Sequence, residues 1–365
     1  MFGKKKILAA LACGAFITAS FFGTVEAAST DSKAPVETIN AAKLSTKWDK
    51  VFPENKNVNH RKITFHNRYG ITLVGDLYTP KKFSGKLPAI ALAGPYGAVK
   101  EQVSGRYAQE LAARGFVTLA FDPSFTGESA GEPRNTTSPD INTEDFSAAV
   151  DYLSNNSNVD ADKIGILGIC GWGGFALNVA SQDPRIKATV TSTMYDMSRN
   201  IANGYFDNGK NPEEIKNSRI ETRKKIAIQR TIDYKNGTYA MAGGVPTEIS
   251  ADTPQFVKDY HDFYQTKRGY HPRSFGSTTG ATLSSLLDFM NMPLLTYSSE
   301  IETPVLMIHG ENAHSRYYSE DAFKKLSGNN KELLIIPGAS HVDLYDNMSV
   351  IPFNKIEKFF KDNLK

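Results

Sequence analysis

Six short aliphatic runs constrain the fold more than anything else in this chain: Pro88–Ala93, Phe116–Phe121, Lys163–Ile169, Ala188–Thr193, Pro304–His309 and Glu332–Ile336. A strand with one wet face alternates apolar and polar residues. These runs are continuous, which suits strands buried on both faces of a mostly parallel sheet. Helical stretches lie between them. Ser104–Arg114 closes at Gly115, Thr143–Ser154 carries Phe146, Ala149 and Leu153 on one face, and Gly173–Ala180 follows the third run. Ahead of them, Arg61–Phe65 and Ile71–Tyr78 alternate around Tyr69-Gly70 as a hairpin does. Two hairpin strands and six buried ones, separated by helices, predict a doubly wound α/β domain.

The rhythm breaks between Tyr195 and Glu302. Asn211-Pro212-Glu213-Glu214 reads as a helix start, with Pro at the first helical position and acids in the first turn, and Asn236-Gly237 reads as its end. A second start at Thr253-Pro254 is followed by Phe256, Tyr260 and Phe263 at helical spacing. A structureless loop of this length is improbable in a compact domain, so residues 195–302 are expected to form a helical cap between the sixth and seventh strands. The core is then 58–194 and 303–365, and 28–57 is an N-terminal extension. Residues 1–27 read differently. Lys4, Lys5 and Lys6 precede a 16-residue apolar run from Ile7 to Phe22, and Val25 and Ala27 occupy the small-residue positions of a cleavage site. That is the layout of a secretory signal peptide, and the run is shorter than the ~20 residues a membrane-spanning helix needs. A secreted or otherwise extracytoplasmic protein is expected, without a stable membrane span. Of its 42 basic and 39 acidic residues, removal of 1–27 takes Lys4, Lys5, Lys6 and Glu26, and the near balance that remains gives no reason to expect nucleic acid as a partner. Of two cysteines only Cys170 would remain, so no intramolecular disulfide can form and its thiol is either packed or reactive.

Cys170 stands where an aliphatic strand meets a glycine-rich helix start, in Gly168-Ile169-Cys170-Gly171-Trp172-Gly173-Gly174. A nucleophile on a tight strand-to-helix turn needs small neighbours, and Gly168 and Gly173 supply them. The helix N-terminus favours a thiolate, and the Gly171 N–H is one oxyanion donor. The alternative is a packed core thiol whose glycines only permit close strand–helix contact. The segment resembles the nucleophile elbow of the α/β-hydrolase superfamily, with cysteine replacing serine as in the dienelactone hydrolases. Trp172 departs from the usual glycine at that place. The X-Pro dipeptidyl peptidase and cocaine esterase relatives carry a large residue there and the glycine one position later, as here. The resemblance covers nearly all of the chain from about residue 58 onward, apart from the cap. It implies an α/β-hydrolase fold with a mostly parallel eight-stranded sheet.

His341, in Ile336-Pro-Gly-Ala-Ser-His341 just past the last strand, is the expected base, because nucleophile first and histidine near the C-terminus is the order of this fold. His309 ends a strand and reads as structural. The resemblance puts an aspartate three residues after Gly310, and that slot holds Ala313. Glu311 is the nearest carboxylate to take its role, with Asp196 after the preceding strand as the alternative. In Gly94-Pro95-Tyr96-Gly97, Pro95 has no N–H to offer, so Tyr96 supplies the second oxyanion N–H. The likeness to cocaine esterases adds its phenol as a donor. Asp122–Gly131 is expected to border the pocket, and the cap aromatics Tyr205, Phe206, Tyr239, Tyr260, Phe263 and Tyr264 to line it or to form the cap's own core. The implied function is hydrolysis of ester, lactone or related acyl bonds of a small-molecule substrate through a Cys170 thioester. An acyltransferase or peptidase of the same fold, or a binding protein that lost catalysis with its acid, remain alternatives. No phosphate-cradling, dinucleotide or metal-ligand spacing appears, so no cofactor or metal is expected. The sequence is silent on oligomeric state.

Overall fold

The computed structural model describes residues 39–365; the signal-like segment 1–27 and the first part of the 28–57 extension lie outside them. Eight strands form one sheet: β1 (Val58–His66), β2 (Thr72–Pro80), β3 (Leu87–Ala93), β4 (Val117–Phe121), β5 (Val159–Ile169), β6 (Ile186–Ser192), β7 (Val305–Gly310) and β8 (Lys331–Ile336), in the spatial order β1-β2-β4-β3-β5-β6-β7-β8. β1 pairs antiparallel with β2, and β2 antiparallel with β4. Every later pairing is parallel. The hairpin turn is closed by Asn67, whose side-chain oxygen accepts from the Tyr69 and Ile71 N–H groups. This is the doubly wound α/β architecture expected from the unbroken aliphatic runs, with the mostly parallel eight-stranded sheet that the resemblance implies.

Helices cover both faces. α1 (Val103–Ala113) follows β3, α2 (Pro139–Ser154) follows β4, α3 (Trp172–Ala180) follows β5, and α8 (Arg316–Phe323), α9 (Asp343–Asp346) and α10 (Phe353–Asn363) belong to the last third. α2 starts four residues earlier than its apolar face suggests, because Ser138 caps it through the Ile141 N–H and Pro139 fits the first helical turn. Between β6 and β7 the chain leaves the sheet through α4 (Met197–Asn203), α5 (Pro212–Asn236), α6 (Gln255–Tyr264) and α7 (Ser285–Asn291). α5 begins and ends as its sequence signals require: Asn211 accepts from the Glu213 N–H, and Gly237 closes it at φ 65°. Only Ile226 of its 25 residues is buried, so α5 lies on the outside of the cap. Among the described residues no helix is long and apolar enough to cross a membrane.

One polar cluster lies inside this core. The Lys100 ammonium, fully buried, pairs with Glu101 at 2.7 Å, Asp122 at 2.7 Å and Glu128 at 2.6 Å. Asp122 also accepts from the Lys100 and Glu128 backbone N–H groups at 2.8 Å each. The Asp122–Gly131 loop is thereby tied to the segment after β3.

Candidate active site

The site is assembled at the carboxyl ends of five neighbouring strands, where open α/β sheets place their ligands. Cys170 directly follows β5 with φ 56°, a left-handed conformation that costs a non-glycine residue energy and persists only where its surroundings enforce it. They do. A Cβ on Gly168 would come within 2.1 Å of the Trp172 carbonyl, and one on Gly173 within 2.3 Å of Met194 Cβ. Strand and helix therefore meet at a distance only glycine allows. Trp172, the departure from the elbow pattern, packs its ring against Phe121, Phe146 and Phe175 under the turn. The bend is wedged from below.

Cys170 is 7% exposed, and the nearby backbone N–H groups of Gly171 and Tyr96 favour its thiolate against the cost of burial. Both expected backbone donors are thus on the sulfur's side of the turn. The Tyr96 phenol does not join them: it bonds Thr137 Oγ1 at 2.9 Å, with its ring edge-on to Phe275 and Phe289. The phenolic part of the expectation is corrected. Its cause is that the ring is clamped sideways while the main chain faces the sulfur. Tyr96→Phe is expected to change turnover by less than about 3-fold, since the donor lost is not aimed at the reacting carbonyl; steady-state kinetics check this. An oxyanion donor would cost about 10²–10³.

His341 is buried on the same side, and a group not anticipated from sequence joins it to the cysteine. The Tyr345 hydroxyl, one helical turn beyond, lies 3.1 Å from His341 Nε2 and is also among the groups that favour the Cys170 thiolate. At the other ring nitrogen, Nδ1, Ser315 Oγ stands at 2.6 Å and Thr193 Oγ1 at 2.8 Å. Neither expected carboxylate is there. Glu311 accepts from the Gly338 N–H at 2.8 Å on the exposed side of its loop. Asp196 caps α4 through the Arg199 N–H at 3.0 Å and bonds the Ser198 hydroxyl. Both carboxylates already accept from backbone donors, and the hydrogen bonds of His341 go to Thr193, Ser315 and Tyr345, so the assignment of either carboxylate to His341 is withdrawn. Glu311→Gln should leave kcat within about 2-fold in the same assay.

Charge is scarce around this centre. Burial pushes the Cys170 thiol up, opposing the helix N-terminus, and pushes His341 well below its ordinary value, with His314 and His309 adding to that. Cysteine and histidine therefore rest as a neutral pair rather than as thiolate and imidazolium. Burial also lowers His309 to about 3 and His314 to about 4. The unfolded chain takes up protons near pH 6.5 that the folded one refuses. The stability these neutral histidines contribute is complete above that pH and is lost as pH falls toward 4, at about 1.4 kcal/mol per pH unit for each. His271 shifts in the same direction. Urea midpoints at pH 7 and pH 5 should differ accordingly, the lower pH giving the lower midpoint.

Above the sulfur is a cavity of about 430 Å³. Its walls include Tyr195, Tyr205, Phe256, Tyr260, Tyr264 and Phe275, and among the described residues no Asp, Glu, Lys, Arg or His lines it. Of the six cap aromatics expected there, Tyr205, Tyr260 and Tyr264 are in the wall. Phe263 packs edge-on against Tyr345, and Phe206 and Tyr239 are 52% and 60% exposed. The Asp122–Gly131 loop supplies none of the lining, contrary to expectation, because Lys100 holds it deeper in the core.

The fold, with its cap and its bend at the end of β5, defines an α/β-hydrolase. The chain belongs to the X-Pro dipeptidyl-peptidase (S15) family, whose model matches residues 69–343. It is 55% identical over 323 residues to the uncharacterized protein PA2218 of Pseudomonas aeruginosa, covering 88% of this chain and 85% of that one. The crystal structure of PA2218 superposes with a TM-score of 0.85 at 54% identity, over 89% of this chain and 100% of that one. The uncharacterized protein YcjY of Escherichia coli is 33% identical over 311 residues, which are 84% of this chain and 99% of YcjY. A shorter alignment, 30% identical over 138 residues, reaches the thiohydrolase aneE of Aspergillus aculeatus and covers 38% of this chain and 42% of that protein.

Proposed function

We propose that this protein is a cysteine-dependent acyl hydrolase that takes thioesters and activated esters with an uncharged, apolar acyl group. The observation that carries the reading is the Cys170 sulfur presented on a strained strand-to-helix turn at the floor of a cavity without a charged wall among the described residues, with the Gly171 and Tyr96 backbone N–H groups beside it. When a carbonyl carbon replaces the thiol proton as the sulfur's partner, its oxygen takes up those two donors. The proton passes to the Tyr345 oxygen as the Tyr345 proton passes to His341 Nε2. A carbon–sulfur bond forms and the tetrahedral oxyanion is stabilised where it develops. His341 returns a proton to the leaving alkoxide or thiolate as its bond to carbon breaks. Water then attacks the thioester and gives its proton to the histidine, and the sulfur leaves as a thiol.

A dipeptidyl peptidase must hold the free α-ammonium of its substrate, and a buried ammonium needs a carboxylate partner. None lines this cavity. The activity in the family's name is therefore not carried over, whereas the thiohydrolase relative agrees with thioester chemistry. The test is intact-mass spectrometry after rapid acid quench with p-nitrophenyl butyrate and with a butyryl thioester. An added butyryl mass mapping to Cys170 is expected. Turnover with no adduct at Cys170, or preferred cleavage of a free-amine dipeptide, overturns the proposal.

A further inference from the structure

Among the described residues no carboxylate bonds His341, yet its Nδ1 is not idle. Ser315 Oγ, 2.6 Å from it, also lies 2.9 Å from Nε2 of His309. Thr193 Oγ1 spans the same two rings at 2.8 and 3.4 Å. The far nitrogen of His309, Nδ1, meets Ser319 Oγ at 2.7 Å. His309, Ser315, Ser319 and Thr193 are fully buried, so water does not compete for these bonds.

Hydrogen counting restricts what such a chain can do. A hydroxyl has one proton, so Ser315 can donate to only one of the two imidazole nitrogens and must be an acceptor toward the other. Two orders run in one direction along the whole chain. In the first, the thiol donates to Tyr345, Tyr345 to His341 Nε2, His341 Nδ1–H to Ser315, and Ser315 to His309 Nε2, with His309 Nδ1–H facing Ser319. In the second, every proton points the other way, and His341 Nε2 carries a hydrogen and cannot act as a base. We propose that His309 is a positioning residue: its bare Nε2 takes the Ser315 proton, which makes Ser315 the acceptor for His341 Nδ1–H and leaves His341 Nε2 free toward Tyr345 and Cys170. A hydroxyl-bridged second imidazole thus fixes the tautomer, a role a carboxylate otherwise performs. Burial keeps both rings neutral, as this order of protons requires. It rests on the proposed part of His341 as the base.

The tautomer can be read directly from ¹⁵N chemical shifts of histidine-labelled protein at pH 7.5, without turnover. Wild type should show His341 protonated at Nδ1. His309→Met should abolish that signature and lower kcat on the order of 10–100-fold with KM nearly unchanged, less than the ~10⁴ seen where a charged partner is lost. His309→Gln, which can offer an oxygen to Ser315 and an N–H to Ser319, should restore both. If the methionine variant fails to fold, Ser315→Ala with Thr193→Val cuts the same link while keeping His309, and should behave like it. A wild-type His341 protonated at Nε2, or severed variants that keep tautomer and kcat, overturns the inference. Butyryl trapping on the same preparations separates the two ideas: an absent adduct in wild type removes the cysteine chemistry, while the nitrogen shifts still judge the relay.

Discussion

Cys170→Ala should reduce hydrolysis of a butyryl thioester by a factor on the order of 10⁴–10⁶, the cost of losing a nucleophile that works as a unit with its base. Stability should barely change, because one buried sulfur leaves a small gap and alanine carries the same backbone strain at φ 56° as cysteine. Thermal melting and steady-state rates on the same preparation check both halves, and an alanine variant retaining more than a few per cent of turnover would sink the assignment. Cys170→Ser is the more informative companion. A serine alkoxide is far more basic than a thiolate, so its base must become an imidazolium early. Here only hydroxyls stand at Nδ1 of that ring. The serine variant is expected to recover almost nothing over alanine, because sulfur is the nucleophile that a neutral, carboxylate-free histidine can serve.

The second large effect is structural. Lys100→Met should lower the unfolding free energy by about 3–5 kcal/mol, the usual cost of deleting one member of a buried ionic cluster. Three carboxylates would face one another without the ammonium between them. Glu101, Asp122 and Glu128 stand close enough together to grip a cation, and the Lys100 side chain already provides one. Burial pushes the Glu101 carboxyl up, and Lys100 and Arg273 outweigh it and hold it below the usual range. That contribution is present above pH ~4.3 and vanishes as acid protonates the group. Denaturant titration at pH 7 measures the loss, and a change under 1 kcal/mol would refute the cluster's role. Together with Glu101→Gln or Asp122→Asn, the lysine variant should cost less than the single changes added up, since the partners are coupled.

The sheet was legible because burial on both faces writes itself into the sequence as unbroken aliphatic runs, and the bend was legible because only glycines permit the contacts around Cys170. What lies behind His341 was not. Thr193 and Ser315 act through hydroxyls in ordinary loop positions, and any of the chain's serines and threonines would have looked the same. His309, read as structural, is structural in its burial, but it also faces the hydroxyls that hold the base. Tyr345 had a detectable signal, its four-residue spacing from His341 across a helical turn, which places the two side chains on one face. The tie between Asp122 and Lys100 went unseen because 22 residues separate partners that only the sheet's crossover brings together. α4 and α7, seven residues each, are too short to show a periodic face.

The cavity draws its reactive floor from the strand ends and most of its walls from the excursion between β6 and β7. Bond-making and bond-choosing are thus encoded in separate stretches of chain. On the proposed reading, drift in residues 242–286 reshapes which acyl tail is admitted while Cys170 and His341 stay untouched. A lineage built this way can change diet without relearning its chemistry.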